Sequence, residues 1–392
     1  MYYLFCLTFL CFSAVIYSQD EKTTAQQTVE EALLLADVQI NGTRPWDITV
    51  HNPDFYNRLI SQGSLGLGES YMDGWWDSQE LDGTIYKILS AQLDKKIRPT
   101  WKMWWAYLQA WLWNLQDKQG SMKVIDRHYQ LGNDLYTNML DSLMTYSCGY
   151  WKRATNLDQA QEAKYDLICK KLQFKPGMKV LDIGCGWGGF AKFAAKHYQV
   201  EVLGVTLSEN QADYGQQLCN GLPVKIEVRD YRDVTGSFDR IIEIGMFEHV
   251  GEKNYRKFME IVHRLLKPNG LCMLHTIGSN ESTSIADPWI NKYIFPNSHL
   301  PSIAQIGTAI EGLFVMEDWH NFGPDYDRTL MNWYHNFQSN WPKLNKEYGD
   351  RFYRMWKYYL LSCAAAFRAR QIQLWQVVLS KEGISGRYEA AR

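Results

Sequence analysis

Asp182-Ile183-Gly184-Cys185-Gly186-Trp187-Gly188-Gly189-Phe190 joins the end of an apolar run to the start of an amphipathic one. A glycine-rich turn between a strand and a helix lets backbone approach a ligand closely and aims the helix's free N–H groups at it. Gly184, Gly186 and Gly189 spell GxGxxG, a pattern that serves dinucleotide dehydrogenases and methyltransferases alike. The next strand separates the two. A nicotinamide enzyme wants Asp or Glu at its end for the ribose hydroxyls, and Val202-Leu203-Gly204-Val205-Thr206-Leu207 ends in Thr206. The nicotinamide reading loses ground there.

Outward from that turn, strand and helix patterns alternate from about residue 126. Lys179 to Cys185, Val200 to Leu207, Val224 to Asp230, Phe238 to Met246 and Leu271 to Ile277 read as strands. Gly188 to His197, Ser208 to Cys219 and Asn254 to Leu266 read as helices, the second capped by Ser208-x-x-Gln211 and the third stopped by Lys267-Pro268-Asn269-Gly270. Such alternation forces parallel strands with crossover helices, so the fold class is α/β with a doubly wound sheet whose ligand sits at the carboxyl ends of the strands. Beyond Ile303 come long helical stretches rich in Tyr, Trp and Phe, and then Leu374 to Leu379, an apolar run suited to closing the sheet.

Upstream, residues 20–95 mix short apolar runs with Gly and Asp, as expected of a small mixed domain, with a capping box at Thr28-x-x-Glu31. Residues 96–125 carry Trp101, Trp104, Trp105, Tyr107, Trp111 and Trp113 among Lys95, Lys96, Arg98, Lys102, Lys118 and Lys123. That mixture fits a segment lying on a bilayer surface, and equally a helix packed on its own domain. Residues 1–19 hold an apolar run, Leu4 to Ile16, without a basic start: a signal peptide or anchor, or a misassigned beginning. A secreted or anchored form stays open on that ground. Residues 126–392 read as the ligand-binding α/β domain.

With 392 residues and a formal net charge of -2, the chain offers no sign of nucleic-acid binding. Its eight cysteines include no C-x-x-C pair and no Cys/His cluster at metal spacing, so we read them as reduced thiols and expect no metal site. His299, His320 and His335 have no partner spacing either.

Seven strings carry a resemblance. Tyr146-Ser147-Cys148-Gly149-Tyr150-Trp151, Val180 to Gly189, Val205-Thr206-Leu207-Ser208, Met246-Phe247-Glu248-His249-Val250-Gly251, Leu274-His275-Thr276-Ile277-Gly278, Glu317 to Gly323 and Cys363 to Arg370 together resemble the cyclopropane-fatty-acyl-phospholipid synthase family. The likeness runs from about Asp126 to Arg392, more loosely before that. It implies a class I S-adenosylmethionine methyltransferase (Rossmann-like) fold preceded by a small N-terminal lipid-binding domain. It also implies an unsaturated phospholipid of a membrane bilayer as substrate, a homodimer as the assembly, and a site at the cytoplasmic face with peripheral membrane association. The apolar leader is its main departure.

The implied reaction transfers a methylene group from S-adenosylmethionine to a cis double bond, with bicarbonate as proton acceptor. An alkene is a poor nucleophile, so the sulfonium methyl must be held in line with it in a dry slot. Aromatic faces steady the resulting cation, and a base must then remove a proton. By resemblance, Cys148, Glu248, His275, Ile277 and Tyr326 cradle the bicarbonate, Glu248 either orienting His275 or accepting a proton, with a structural ion pair as the bland reading. Cys363 matches a family active-site cysteine but sits beside Ala364-Ala365-Ala366, which read as packed helix. Among cofactor contacts, Gly184, Gly186 and Gly188 belong to the glycine turn and Tyr146 and Ser147 close over the methionine portion. Thr206 and Gln211 meet the ribose, and Tyr231 and Arg232 flank the adenine, while Asp182 holds the turn. Arg368, Arg370, Lys381 and Arg387 read as solvated charge rather than headgroup ligands. Two other classes remain in view: a sibling methyltransferase acting on an acyl chain or amine without ring closure, and a lipid carrier, which would have no need of an intact Asp182 to Gly189 turn.

Overall fold

The computed structural model describes residues 23–92, 132–282 and 286–392. The apolar leader and the aromatic segment at 96–125 lie outside the described residues.

The first part is mixed: α1 (Thr24–Leu34), β1 (Thr49–Val50), α2 (Asp54–Gln62), α3 (Ser64–Met72), β2 (Trp76–Asp77) and α4 (Leu81–Ser90), with β1 and β2 paired antiparallel. Thr23 caps α1, its side chain accepting the Gln26 N–H. The expected cap at Thr28 instead falls one turn inside, its hydroxyl donating to the Thr24 carbonyl at 2.9 Å. Ala25, Gln26 and Gln27 are good helix formers and draw the helix back by a turn. Buried Trp76, edge-on to Tyr71, belongs to the same hydrophobic cluster as Trp333, Trp356 and Phe367 of the C-terminal half. Arg354 ties the two parts, its guanidinium reaching the Trp76 carbonyl at 3.0 Å and Asp77 at 2.8 Å.

The second part contains α5 (Asn133–Thr137), α6 (Leu157–Lys171), β3 (Lys179–Ile183), α7 (Gly189–Tyr198), β4 (Glu201–Thr206), α8 (Glu209–Leu218), β5 (Val224–Val228), β6 (Phe238–Ile244), α9 (Tyr255–Leu265) and β7 (Leu266–Ser279). There follow α10 (Pro288–Tyr293), α11 (Ile303–Ile310), β8 (Val315–Asn321), α12 (Pro324–Arg368) and β9 (Ile372–Ser380). The strands form one sheet in the order β5-β4-β3-β6-β7-β9-β8; β3 to β7 run parallel, and β9 is antiparallel to both its neighbours. Central strands covered on both faces read as unbroken apolar runs, and β3 is buried at four of its five positions. The doubly wound sheet expected from the sequence is what forms; Leu374 to Leu379 is a strand as expected, but β9 lies between β7 and β8 and does not close the sheet, whose edge is β8.

Two elements differ from expectation. β7 starts at Leu266, and Lys267-Pro268-Asn269-Gly270 is absorbed as a register shift between its pairings with Phe238 and Arg240. Strand β8, Val-Met-Glu-Asp-Trp-His-Asn, was unforeseen because an edge strand tolerates charge and half-exposure. In α12, Gly349 has φ 70° and breaks the helix into two arms. The arms fold back on each other, with Tyr326 stacked on Phe367 at 4.6 Å and Phe337 on Tyr353 at 5.6 Å.

A Cβ at Gly278 of β7 would lie 2.0 Å from the ring of buried Trp375 on β9. Gly278→Ala is therefore expected to destabilise the fold by at least about 1–3 kcal/mol, read as a lowered denaturation midpoint with unchanged slope.

Candidate functional site

The order of the sheet reverses at β3, which leads to β4 on one side while β6 flanks it on the other. A cavity opens at the carboxyl ends of these three strands, where such a fold binds its ligand. Its floor is the glycine turn. Gly184 and Cys185 donate their N–H groups to the Val205 carbonyl at 2.9 and 3.1 Å. Gly184 and Gly186 have φ of 76° and 54°, the left-handed region that favours glycine. A Cβ at Gly186 would meet nothing within 4 Å, so backbone faces the cavity there.

Tyr146, Ser147, Asp182, Gly184, Gly186, Thr206, Gln211, Tyr231 and Arg232 all line the cavity. Gly188 does not. Its Cβ would run into Ile226 at 2.7 Å, so this glycine serves the packing of the turn against β5 rather than the ligand. Asp182 also differs from its expected role, because the Val205 carbonyl holds the turn. The Asp182 Oδ2 atom is buried without a hydrogen-bond partner, and burial, opposed by Lys164, pushes its carboxyl up to about 7.

At the end of β4, the Thr206 hydroxyl donates to Gln211 Oε1 at 2.8 Å and accepts the Ser208 N–H at 3.2 Å. Ser208 caps α8 through the Gln211 N–H at 3.3 Å, so Gln211 returns to Thr206 rather than completing the capping box. Arg232 is held at the rim by Asp230, two contacts of 2.8 Å, beside the Tyr231 ring.

The segment that closes over the turn is latched from behind by α6. Thr145 meets Tyr165 at 2.7 Å, Gln161 donates to the Ser147 carbonyl at 2.8 Å, and the Lys164 ammonium donates to the Ser147 hydroxyl at 2.6 Å. Burial pulls Lys164 down to about 7 against the pull of Asp141 and other neighbours.

Beyond the cavity wall lies the second cluster. Glu248 follows β6 in a short 3-10 turn, Phe247–His249, and its Oε1 accepts the Ile277 N–H at 2.6 Å. Its Oε2 is buried without a partner, and burial raises its carboxyl above the usual range. Glu243 beneath it accepts the Met246 and Phe247 N–H groups, and is raised by burial and by Glu248. His275 is also fully buried, and desolvation with the nearby Lys164 and Lys171 charges keeps its imidazole neutral. Its hydrogen-bond partner is Gln376, not Glu248: the two carboxylate oxygens are respectively bonded to Ile277 and unpartnered, so Glu248 does not orient His275 directly.

The Cys148 thiol donates to the Gly149 carbonyl at 3.1 Å, and burial raises it well above the ordinary thiol range. Burial raises the Tyr326 phenol too, reinforced by the nearby Cys148, Tyr146, Glu248 and Cys363. Cys363 sits on α12, its thiol pushed up to about 12 by burial and Asp287, so it stays protonated and is a poor nucleophile. Tyr146 bridges the two regions. It lines the cavity, meets the Tyr359 hydroxyl at 2.8 Å and lies 5.1 Å from the Trp333 ring, which in turn lies 5.9 Å from Tyr326. Phe295 closes this aromatic wall against Tyr359 and His249.

Sequence reasoning missed Trp187, Met246, His249 and Asn297 as cavity residues. The first three fell inside strings singled out for their neighbours, whereas Asn297, at φ 59°, gave no signal. Lys164 and Gln376 were missed because a polar residue on an amphipathic pattern reads as solvent-facing. Arg368, read as solvated, is paired with Asp327 and Asp82 at 2.9 and 2.8 Å.

The family model for mycolic acid cyclopropane synthetase matches residues 116–377. Cyclopropane-fatty-acyl-phospholipid synthase of Escherichia coli (strain K12) is 54% identical over 362 residues, covering 92% of this chain and 94% of its own. The solved structure of the cyclopropane synthase MmaA2 from Mycobacterium tuberculosis is 31% identical with a TM-score of 0.63, covering 66% of this chain and 98% of its own. The mycolic acid cyclopropane synthase CmaA1 complexed with SAH and CTAB is 34% identical with a TM-score of 0.62, at the same two coverages.

Proposed function

Because the chain belongs to the mycolic acid cyclopropane synthetase family, we propose that it transfers a methylene group from S-adenosylmethionine to the cis double bond of an unsaturated phospholipid acyl chain. One observation carries this reading most: the glycine-turn cavity adjoins, through Tyr146, a dry aromatic wall in which Glu248 Oε2 and His275 Nε2 are both buried without partners. Buried polar atoms cost free energy unless a partner arrives.

The cavity fits the cofactor. Asp182 offers an unpartnered carboxylate to a cationic ligand, Thr206 and Gln211 a hydroxyl and amide to a sugar, and Tyr231 with Arg232 flat faces to a base. S-adenosylmethionine supplies an electrophilic methyl there. Tyr146 and Ser147, fixed by α6, hold the two compartments in contact, and the dry wall of Tyr146, Trp333, Tyr326 and Phe367 excludes water and steadies positive charge on the acyl chain. Thr206→Val should weaken S-adenosylmethionine binding about three- to tenfold, the value of one lost hydrogen bond, by calorimetric titration.

The cradle of Cys148, Glu248, His275, Ile277 and Tyr326 would hold bicarbonate, which supplies a base for the proton lost on ring closure. The orphaned Glu248 and His275 atoms support that fit, while the Ile277 N–H already serves Glu248. Glu248, raised by burial, is suited to take the proton onward. Residues 20–95 would act as the lipid-binding domain and 96–125 as a bilayer-surface segment, with the enzyme acting from the cytoplasmic side, peripherally attached and dimeric. Among the described residues no helix is long and apolar enough to cross a membrane. Mass spectrometry of lipids from cells expressing the full chain tests the proposal: monounsaturated phospholipids should gain one CH2, and unchanged lipids alongside an active, cofactor-binding protein would sink it.

A further inference from the structure

We infer that Gln376 is a positioning residue that fixes the tautomer of His275, holding its Nε2–H toward the proton-accepting cradle. The inference deepens, and rests on, the reaction proposed above.

His275 on β7 and Gln376 on β9 are direct partners in the antiparallel register, so their side chains stand side by side on one face of the sheet. Both are buried, at 1% and 0% exposure. The Gln376 Nε2 atom lies 3.2 Å from His275 Nδ1. With the amide turned this way its nitrogen donates and its Oε1 is left buried without a partner, so Nδ1 accepts and we place the single proton of the neutral ring on Nε2; the opposite amide orientation would put it on Nδ1. That Nε2 atom is buried with no partner. A buried donor without an acceptor is costly, and a small anion in the cradle removes the cost.

The tautomer matters to the chemistry. A neutral N–H holds an oxygen of bicarbonate without giving up its proton, whereas an imidazolium would protonate the anion and destroy the base. Burial together with Lys164 and Lys171 keeps His275 neutral. Gln376 has no titration of its own, so as long as the ring is neutral its hydrogen bond does not change with pH. A carboxylate in its place would demand Nδ1–H and turn Nε2 into an acceptor facing an anion. His320 on β8 is also paired with Gln376 across the sheet, and its Nδ1 meets the Lys171 ammonium at 3.1 Å, so the amide is bounded on both sides.

The test is nitrogen NMR on the full chain labelled with 15N-histidine, His275 being assigned by its loss in His275→Gln. The inference expects a pyrrole-type Nε2 and a pyridine-type Nδ1. In Gln376→Glu the two should exchange character, and kcat for cyclopropanation should fall on the order of 10- to 100-fold, as second-layer partners of histidine do, with the KM for S-adenosylmethionine unchanged. An Nδ1–H ring in the wild type, or wild-type kcat in Gln376→Glu, overturns it. Dependence of the wild-type rate on added bicarbonate tests the underlying reading separately, since the spectrum of His275 is read without turnover.

Discussion

Glu248→Gln is expected to lower the rate of cyclopropane formation by about 10²- to 10⁴-fold, the usual contribution of a positioned proton acceptor, while S-adenosylmethionine affinity stays within about twofold of wild type. The amide keeps an oxygen for the Ile277 N–H, which Glu248 Oε1 accepts at 2.6 Å, so the local fold should survive. What the variant loses is the second carboxylate oxygen, buried without a partner beside the cradle. The cavity lies on the far side of Tyr146 and does not include Glu248, hence the intact cofactor binding.

If Glu248 accepts the proton as proposed, the same carboxyl is expected to set the pH dependence. Burial raises it above the ordinary carboxylate range, so its ionised, proton-accepting form disappears at a higher pH than for an exposed Glu. kcat measured at saturating bicarbonate should therefore fall on acidification before ordinary carboxylates titrate, and in Glu248→Gln that limb should shrink to what Asp182, also raised to about 7, contributes. Ring formation at a normal rate in this variant would remove Glu248 from the mechanism.

Gly189→Ala is expected to weaken S-adenosylmethionine binding about 10- to 100-fold and to cost about 1–3 kcal/mol of stability. The added Cβ would lie 2.3 Å from the Leu143 carbonyl oxygen and 3.0 Å from the Tyr165 hydroxyl. Backbone must yield, and the backbone in question leads directly into Thr145, Tyr146 and Ser147, which line the cavity. Its latch also weakens, because Tyr165 is the partner of Thr145 at 2.7 Å. The control is Gly307→Ala in α11, where a Cβ meets nothing within 4 Å and the angle is ordinary; there the helix should gain about 0.5–1 kcal/mol. Titration calorimetry and chemical denaturation of both variants decide the matter. Unaltered cofactor affinity in Gly189→Ala would show that the 143–147 segment does not shape the cofactor site.

Local chemistry made much of this protein legible without coordinates. Strands such as Val180-Leu181-Asp182-Ile183 announce themselves because both faces of a parallel sheet are covered, and glycines mark where only a side-chain-free backbone can turn toward a ligand. Thr206, Gln211, Tyr231 and Arg232 lie within a few residues of the ends of β4 and β5, where a doubly wound sheet faces its ligand, whereas Tyr146 and Ser147, between α5 and α6, were placed by the family resemblance alone.

What the chain alone could not disclose depends on partners distant in sequence. Gly188 carries the same letter as Gly186, yet one packs on Ile226 of another strand and the other faces the cavity. The edge strand β8 is polar in itself and becomes a strand only because β9 offers it a ladder. Glu248 and His275 lie 27 positions apart, and whether they touch is decided by which side of β7 each reaches: Glu248 takes the Ile277 amide, and His275 turns to Gln376 a hundred residues onward. Sequence dictated the sheet and the turn because backbone conformation and burial pattern are local properties. Tertiary structure alone chose the hydrogen-bond partners of the buried polar groups, because in a dry interior those are set by whatever donor or acceptor packing brings within about 3 Å.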